Sequence, residues 1–220
     1  MVDLDKKQVA KMIDHTNLKP TAVKHDIVVL CDQAIKHGFG AVCINPVYVS
    51  LARELLKDSE VDICTVIGFP LGANTSEVKA FEAKKAIENG AKEIDMVINI
   101  GAVKSGDFDV ISSDIQAVRD VTEDKTLKVI LETCYLSDEE IKLACKAAMR
   151  SGANFVKTST GFGDGGAKEE HIKIMKSIVG EELGIKASGG IRSGKDLKKM
   201  VEAGATRIGA SSGVEILDDF

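Results

Sequence analysis

The sequence predicts a single-domain (β/α)8 TIM barrel that spans residues 1–220, and three observations support this fold class. The chain has 220 residues, 44% of them hydrophobic, which is enough for one sizeable core. Helix-like segments end four times in a glycine, then a small residue and a β-rich run; these glycines are 52, 62 and 52 residues apart. Eight strand-like runs alternate with amphipathic segments. This alternation is typical of a closed parallel barrel surrounded by helices.

The strands are predicted from β-rich runs that follow turn signals. The glycines of the repeated pattern are Gly38, Gly90, Gly152 and Gly204. Each interval between them holds roughly two strand-helix units. We therefore predict strands at residues 13–16, 41–45, 63–69, 93–99, 128–133, 155–160, 185–188 and 207–210.

The helices are predicted from apolar stripes at helical spacing and from their start signals. One stripe lies before the second strand and another before the eighth: Val23, Ile27, Leu30, Cys31 and Ala34; and Leu197, Met200 and Val201. Two S-x-x-E/D patterns suit helix N-termini: Ser137 with Glu140, and Ser193 with Asp196.

A doubly wound open sheet is the alternative architecture. It usually carries a glycine-rich nucleotide loop after the first strand, and the sequence has neither G-x-x-x-x-G-K-[ST] nor G-x-G-x-x-G there. No linker or low-complexity segment marks a second domain. The barrel is therefore the better prediction.

The amino-acid composition limits the classes of partner that we expect for the protein. The net charge of −5 and the pI near 5.5 give no general attraction for nucleic acid or anionic membranes, so we expect neither as a partner. There is no apolar stretch near 18 residues and no signal-peptide pattern at the start, so we expect a soluble cytoplasmic protein. Five cysteines without a C-x-x-C pair argue against a disulfide framework.

Three charged residues interrupt strands that are otherwise apolar. In EIDMVIN, residues Ile94, Met96 and Ile98 are expected to face the helices, which leaves Asp95 pointing into the barrel. In NFVKTST and GIKASGG we assign Lys157 and Lys186 to the interior, because a charged group is costly between a strand and a helix. Each residue alone has an ordinary structural interpretation. Together they predict a polar site at the barrel mouth.

The chemistry that fits two lysines and an aspartate is Schiff-base catalysis. An amine must be neutral to attack a carbonyl, whereas a free lysine has a pKa of about 10.4. Burial and a second ammonium nearby favour the neutral form, so Lys186 is placed to activate Lys157. Asp95 could then move protons during imine formation, bond cleavage and hydrolysis.

Glycine-rich turns follow the last three predicted strands. Barrels often bind phosphate at the loops after strands 7 and 8, where glycines allow close backbone approach and helices begin. The residues of these loops that fit such a site are Gly189, Gly190, Ser211 and Ser212. Ordinary turn chemistry remains the alternative for each glycine taken alone.

These motifs resemble the deoxyribose-phosphate aldolase family along almost the whole chain. The likeness is carried by IDHTNLKP (13–20), VCINP (42–46), GFPLG (68–72), EIDMVINIGA (93–102), VILET (129–133), FVKTSTGF (155–162), GIKASGGIR (184–192) and GASSG (209–213). FVKTSTG and KASGGIR at this separation are highly specific, whereas GASS alone is weak.

The resemblance implies a class I lyase that needs no cofactor or metal and acts in deoxyribonucleotide catabolism and carbohydrate degradation. It cleaves 2-deoxyribose 5-phosphate reversibly to acetaldehyde and glyceraldehyde 3-phosphate. It implies that Lys157 forms the imine, with Lys186 and Asp95 as its catalytic partners. It also implies phosphate and sugar contacts from Gly189, Gly190, Ser211, Ser212, Asp14, Thr16, Leu18, Thr160 and Gly161, and it matches Cys43 to a cysteine near the site.

The chain departs from better-known bacterial members at two positions. Some relatives have a lysine after the TSTG turn that helps to hold phosphate, but Phe162 stands here, which leaves Arg192 or backbone donors. Some relatives also end in a tyrosine-bearing tail, whereas this chain ends in GVEILDDF. These differences bear on phosphate binding and on the final proton transfer.

Four other functions stay open from the residues alone. They are another class I aldolase or transaldolase, a metal-dependent aldolase, an isomerase on a phosphate-binding barrel, and a non-catalytic binding barrel. The metal-dependent enzyme fits least, because the histidines lack metal-site spacing: His15, His25, His37 and His171. We expect a homo-oligomer, dimer or tetramer, since several apolar helix residues could form an interface.

Overall fold

The computed structural model describes residues 4–220 and confirms the barrel. The strands are β1 (Ile13–Asn17), β2 (Ala41–Ile44), β3 (Asp62–Ile67), β4 (Glu93–Val97), β5 (Thr126–Ile130), β6 (Phe155–Lys157), β7 (Gly184–Ser188) and β8 (Arg207–Ala210). All are parallel and pair in chain order, and β8 closes the barrel against β1. The closed sheet brings the carboxyl ends of all eight strands to one face.

Helices surround the sheet. They are α1 (Lys6–Met12), α2 (Lys24–His37), α3 (Val49–Leu56), α4 (Ser76–Asn89), α5 (Ile100–Ser105), α6 (Phe108–Thr122), α7 (Asp138–Arg150), α8 (Glu169–Val179), α9 (Gly194–Ala203) and α10 (Gly213–Asp218). Short 3₁₀ turns occur at Pro46–Tyr48 and Thr133–Tyr135. Within residues 4–220, no helix combines the length and apolar character needed to cross a membrane.

All eight predicted strands exist, but several end earlier than expected. The runs predicted at 63–69, 93–99, 128–133 and 155–160 stop at Ile67, Val97, Ile130 and Lys157. Left-handed backbone turns the chain after β3 at Gly68 (φ 57°) and after β5 at Glu132 (φ 53°). After β4, Asn99 instead caps α5 by accepting a hydrogen bond from the backbone N–H of Ala102. The apolar pattern continues past these points because the following residues stay buried.

The main core lies between the sheet and the helices. Ile94, Met96 and Ile98 belong to it, as predicted, and so does the α2 stripe apart from one residue. Val23 was expected to be buried, but its side chain is 56% exposed because it is the residue before the first turn of α2. The predicted caps of α7 and α9 are confirmed: Ser137 and Ser193 accept from the backbone N–H groups three residues later.

One buried ion pair lies outside the barrel, between α4 and α6. Lys79 donates to Asp114 Oδ2 at 2.6 Å and to the Val97 carbonyl at 2.9 Å. Neither side chain reaches solvent appreciably. Removing one member of such a pair leaves a buried charge without compensation, whereas removing both does not.

Asp114→Leu is therefore expected to lower the free energy of unfolding by about 3 kcal/mol or more. The double variant Lys79→Met/Asp114→Leu should recover most of that loss. Urea titrations of the three proteins measure both changes. A double variant as unstable as the single one would show that shape, not charge, is the constraint at this position.

Candidate active site

Every strand of the barrel contributes at least one titratable side chain to a cluster in its interior. In chain order the residues are Asp14, Cys43, Cys64, Glu93, Asp95, Lys128, Lys157, Lys186 and Arg207. All are buried except Arg207, whose side chain is 18% exposed. We call these nine residues the interior cluster.

Asp95 is the centre of the cluster. Its Oδ2 accepts hydrogen bonds from Lys157 Nζ at 2.7 Å and Lys186 Nζ at 2.8 Å. Its Oδ1 accepts from Lys128 Nζ at 2.9 Å and from the Cys64 thiol at 3.1 Å. The structure thus brings together the three predicted catalytic residues, and the two nitrogens of Lys157 and Lys186 share one oxygen.

Strand register explains this meeting. Lys157 lies beside Lys186 on β6 and β7, and Asp95 lies beside Lys128 on β4 and β5. Residues in register on neighbouring parallel strands point to the same side of the sheet. The curvature of the barrel then brings the two pairs together.

Two more carboxylates complete the charges. Asp14 accepts from Lys186 through one oxygen and from Arg207 Nη1, at 2.8 Å, through the other. Glu93 accepts from Lys128 and, at 3.3 Å, from Arg207 Nη2. Four cationic side chains therefore face three carboxylates.

The charges within the interior cluster determine which of its side chains are ionised. Burial by itself raises the pKa of Asp95, but the charges of Lys128, Lys157 and Lys186 outweigh it and hold that pKa well below its usual value. Burial likewise opposes ionisation of Asp14, yet nearby cations lower its pKa to about 2. Burial lowers the pKa of Lys186, but Asp14 and Asp95 raise it above the ordinary value. Both carboxylates and Lys186 therefore stay charged at neutral pH.

A cavity of about 570 Å³ opens at the carboxyl ends of the strands. The predicted site residues that line it are Thr16, Leu18, Lys157, Thr160, Gly161, Gly189, Gly190 and Ser211. Asp14, Asp95 and Lys186 are fully buried behind this lining. Ser212, also predicted for the site, is the residue before α10 and is not part of the cavity lining. Among the four cations of the interior cluster, all in the described chain, Lys157 alone reaches the cavity wall.

The loops after β6 and β7 are joined where the cavity meets Gly189 and Gly190. Both glycines have left-handed backbone, with φ of 84° and 82°. The Gly189 carbonyl accepts from the Ala167 N–H at 3.0 Å, and a Cβ on Gly166 would lie 2.2 Å from that carbonyl oxygen. Glycine is therefore required at position 166, and the two loops form one wall.

Phe162 lines the cavity and meets Phe69 edge to face, with 5.3 Å between ring centroids. The cavity wall is therefore apolar at Phe162, the residue that follows the TSTG turn. Arg192 lines the same cavity. It is the cationic side chain of the GGIR turn.

Several residues of the site were not predicted from the sequence. Lys128 pairs with the predicted residue Asp95 and Arg207 with the predicted residue Asp14, and Glu93 joins Lys128 to Arg207. Glu132 is buried and accepts hydrogen bonds from both the backbone N–H and the hydroxyl of Thr160, which holds that residue at the cavity. The alternation argument that identified Asp95 also applies to TLKVI and would have identified Lys128, because Leu127 and Val129 face the helices.

Two groups of potential metal ligands occur in the part of the chain that the structure describes. Cys43, Cys64 and Asp95 form one, and Asp14, Cys64 and Glu93 form the other, with ligand atoms within 4.8 Å of one another. The carboxylates of both groups are already paired with buried cations. Positive charges so close to the ligand atoms oppose the binding of a metal ion.

Comparisons with known proteins agree on one family. The family model described as DeoC/LacD family aldolase matches residues 8–219. A deoxyribose-phosphate aldolase of Caldanaerobacter subterraneus subsp. tengcongensis is 57% identical over 215 residues, which cover 96% of this chain and 93% of the relative. One from Thermococcus gammatolerans is 56% identical over 222 residues, covering 99% and 97%.

A solved structure shows the same architecture. The tetrameric deoxyribose phosphate aldolase of Aeropyrum pernix superposes with a TM-score of 0.92 at 35% identity. The match covers 98% of this chain and 92% of that one. The fold of the whole chain is therefore that of a known aldolase.

Asp14→Asn tests the electrostatics of the cluster. The folded pKa of Asp14, about 2, lies below the ordinary value of 3.8. The stabilisation is therefore present above pH about 4 and is lost as the pH falls toward 2. We expect the variant to lose roughly 2 kcal/mol of unfolding free energy at pH 7, and less at pH 3. Urea midpoints at both pH values measure this; an equal loss at pH 7 and pH 3 would contradict it.

Proposed function

The chain belongs to the DeoC/LacD family of aldolases, and on that premise we propose that it reversibly cleaves 2-deoxy-D-ribose 5-phosphate to acetaldehyde and D-glyceraldehyde 3-phosphate. The relatives named deoxyribose-phosphate aldolase, more than half identical over nearly the full chain, support this choice of substrate. The proposed mechanism is class I: a lysine forms a Schiff base with the substrate aldehyde.

The observation that carries this proposal is the position of Lys157. Its side chain is 2% exposed yet lines the cavity, and its nitrogen contacts Asp95, which Lys186 also contacts. A buried amine at the end of a pocket, beside a carboxylate and a second ammonium, is what imine formation requires.

Lys157 has the fewest carboxylate contacts among the four cations of the interior cluster. Lys186, Lys128 and Arg207 each contact at least two carboxylates, whereas Lys157 contacts Asp95 alone. We therefore assign the nucleophile to Lys157, which has one carboxylate partner and lines the cavity.

The steps follow from this arrangement. The Lys157 nitrogen attacks C1 of the open-chain aldehyde, and the carbinolamine loses water to give an iminium. The C3 hydroxyl loses its proton and the C2–C3 bond breaks, which releases glyceraldehyde 3-phosphate and leaves an enamine on C1 and C2. Protonation at C2 and hydrolysis then release acetaldehyde and restore the amine.

Asp95 and Lys186 have distinct parts in these steps. The low pKa of Asp95 makes a long-lived protonated carboxyl costly. Asp95 therefore passes a proton between its neighbours and does not store one. Lys186 remains an ammonium ion and supplies the hydrogen bond and charge that hold Asp95 Oδ2 beside the reacting nitrogen.

The substrate phosphate is assigned to the loops after β7 and β8. Gly189, Gly190, Arg192 and Ser211 line the cavity. Ser212 follows Ser211 in the chain. Backbone N–H groups in left-handed turns and serine hydroxyls can donate to phosphate oxygens. Thr16, Leu18, Thr160 and Gly161 line the same cavity and are assigned to the sugar. Asp14 is not part of the cavity lining, and it accepts a hydrogen bond from Lys186 in the barrel interior.

We also propose that the protein is a homo-oligomer. The Aeropyrum pernix aldolase, with the same fold, is tetrameric. Large apolar side chains stay exposed on the barrel surface, among them Leu71, Phe81 and Val47. The location in the cytoplasm stays a prediction from the sequence.

Borohydride reduction tests the imine. Sodium borohydride added with acetaldehyde is expected to attach one ethyl group to Lys157, because the amine forms an imine that hydride reduces. Peptide mass mapping locates the adduct. Lys157→Leu should abolish the adduct and the cleavage activity, while the double variant Lys79→Met/Asp114→Leu, which removes a buried lysine and its partner outside the barrel, should keep both. An adduct on another lysine would overturn the assignment.

Phosphate recognition is tested by a substrate pair. Ser211→Ala is expected to raise KM for 2-deoxyribose 5-phosphate about tenfold, since a hydrogen bond to a charged group contributes about 1.5 kcal/mol. KM for unphosphorylated 2-deoxyribose should change less than about twofold, because no phosphate is present. Equal changes for both sugars would place Ser211 outside the phosphate site.

A further inference from the structure

Lys128 is a buried lysine that the proposed steps do not use. It is completely inaccessible to solvent, and it donates to Asp95 Oδ1 at 2.9 Å and to Glu93. Its nitrogen also lies 3.4 Å from the Cys64 sulfur. A buried ammonium is energetically costly, so its presence in the barrel interior points to a function for Lys128.

We propose that Lys128, together with Glu93, is a positioning pair for the aldolase reaction. Lys128 fixes the Asp95 carboxylate so that its other oxygen faces Lys157 and Lys186, and the balance between Lys128 and Glu93 sets how readily Lys157 gives up its proton. This inference rests on the proposed Schiff-base function.

The geometry divides the two oxygens of Asp95 between two tasks. Oδ1 is occupied by Lys128 and Cys64, and Oδ2 by Lys157 and Lys186. A carboxylate held at one oxygen cannot rotate the other away from its partners. Lys128 therefore orients Asp95 without touching the cavity.

The charges around Asp95 support the same role for Lys128. Lys128 is the largest of the three cationic contributions that lower the pKa of Asp95 against the effect of burial. Its own pKa is raised above the ordinary value, chiefly by Asp95, although burial opposes this. Lys128 therefore remains an ammonium at neutral pH.

Changes at Lys128 and Glu93 should act in opposite directions. Removing Lys128 takes a positive charge from the cluster, so the Lys157 ammonium is repelled less and the neutral amine is favoured less. Replacing Glu93 by Gln takes a negative charge from the cluster, so the neutral amine is favoured more. The other titratable groups around Asp95 and Lys157 are the same in both variants: Asp14, Cys43, Cys64, Glu132, Lys186 and Arg207.

A purely structural role would not produce opposite signs. Lys79 provides the matched control, because it is also completely buried and paired with one carboxylate, but it lies between α4 and α6. Loss of Lys79 removes a buried charge of the same kind without changing the interior cluster.

The experiment measures kcat, KM and the borohydride trapping rate from pH 5 to pH 9 for three variants. Lys128→Met is expected to move the acid limb of both profiles upward by about one pH unit or more and to lower kcat at pH 7 about tenfold or more, with KM within about threefold. Glu93→Gln should move the acid limb downward. Lys79→Met should leave it in place.

The outcomes separate the two claims. If the wild-type protein gives no adduct at Lys157, the proposed function fails; if it does and both cluster variants keep the wild-type limb or shift it in the same direction, the Lys128–Glu93 inference fails. Should Lys128→Met not fold, Glu93→Gln decides alone. A shift of the acid limb to lower pH then supports the inference. An unchanged acid limb, or a shift to higher pH, overturns it.

Discussion

The site depends on one shared carboxylate. Asp95 accepts hydrogen bonds from three lysines in the interior of the barrel, where an unpaired charge of either sign would be costly. Lys128, Lys186 and Arg207 each contact at least two carboxylates of the cluster, whereas Lys157 contacts Asp95 alone. Lys157 also lines the cavity. The reactivity proposed for a single amine is thus a property of the whole buried cluster.

The barrel supplies what this cluster requires. Each of the eight strands places at least one ionisable side chain inside, and parallel register sets Lys157 beside Lys186 and Asp95 beside Lys128. The helices cover the outer face with a continuous apolar core, so the cluster is enclosed without a second domain. Strands β3, β4 and β5 end where Gly68, Asn99 and Glu132 turn the chain. The cavity wall is formed instead by β1, α2 and the ends of β6, β7 and β8 with the residues that follow them.

Sequence patterns predicted the fold and the first layer of the site well, because both follow from period-two alternation. Asp95 and Lys186 each stand between apolar neighbours in a strand, and Lys157 follows the apolar Val156 at the end of β6, so each faces inward. The strand ends and Val23 were less predictable, since apolar residues continue past the last ladder bond. Glu93 and Arg207 carry no local signal: strand-end charges are usually solvated, and only closure of β8 on β1 brings Arg207 to Asp14. Lys128 does alternate with apolar neighbours, but it was the first residue of its predicted strand, 128–133.

A neutron structure of the ligand-free protein at pH 7 tests the central claim most directly, because it shows the protons of the cluster themselves. The account predicts two deuterons on the Lys157 nitrogen, three each on the nitrogens of Lys128 and Lys186, and none on either oxygen of Asp95. Three deuterons on Lys157, or a deuteron on Asp95, would contradict it.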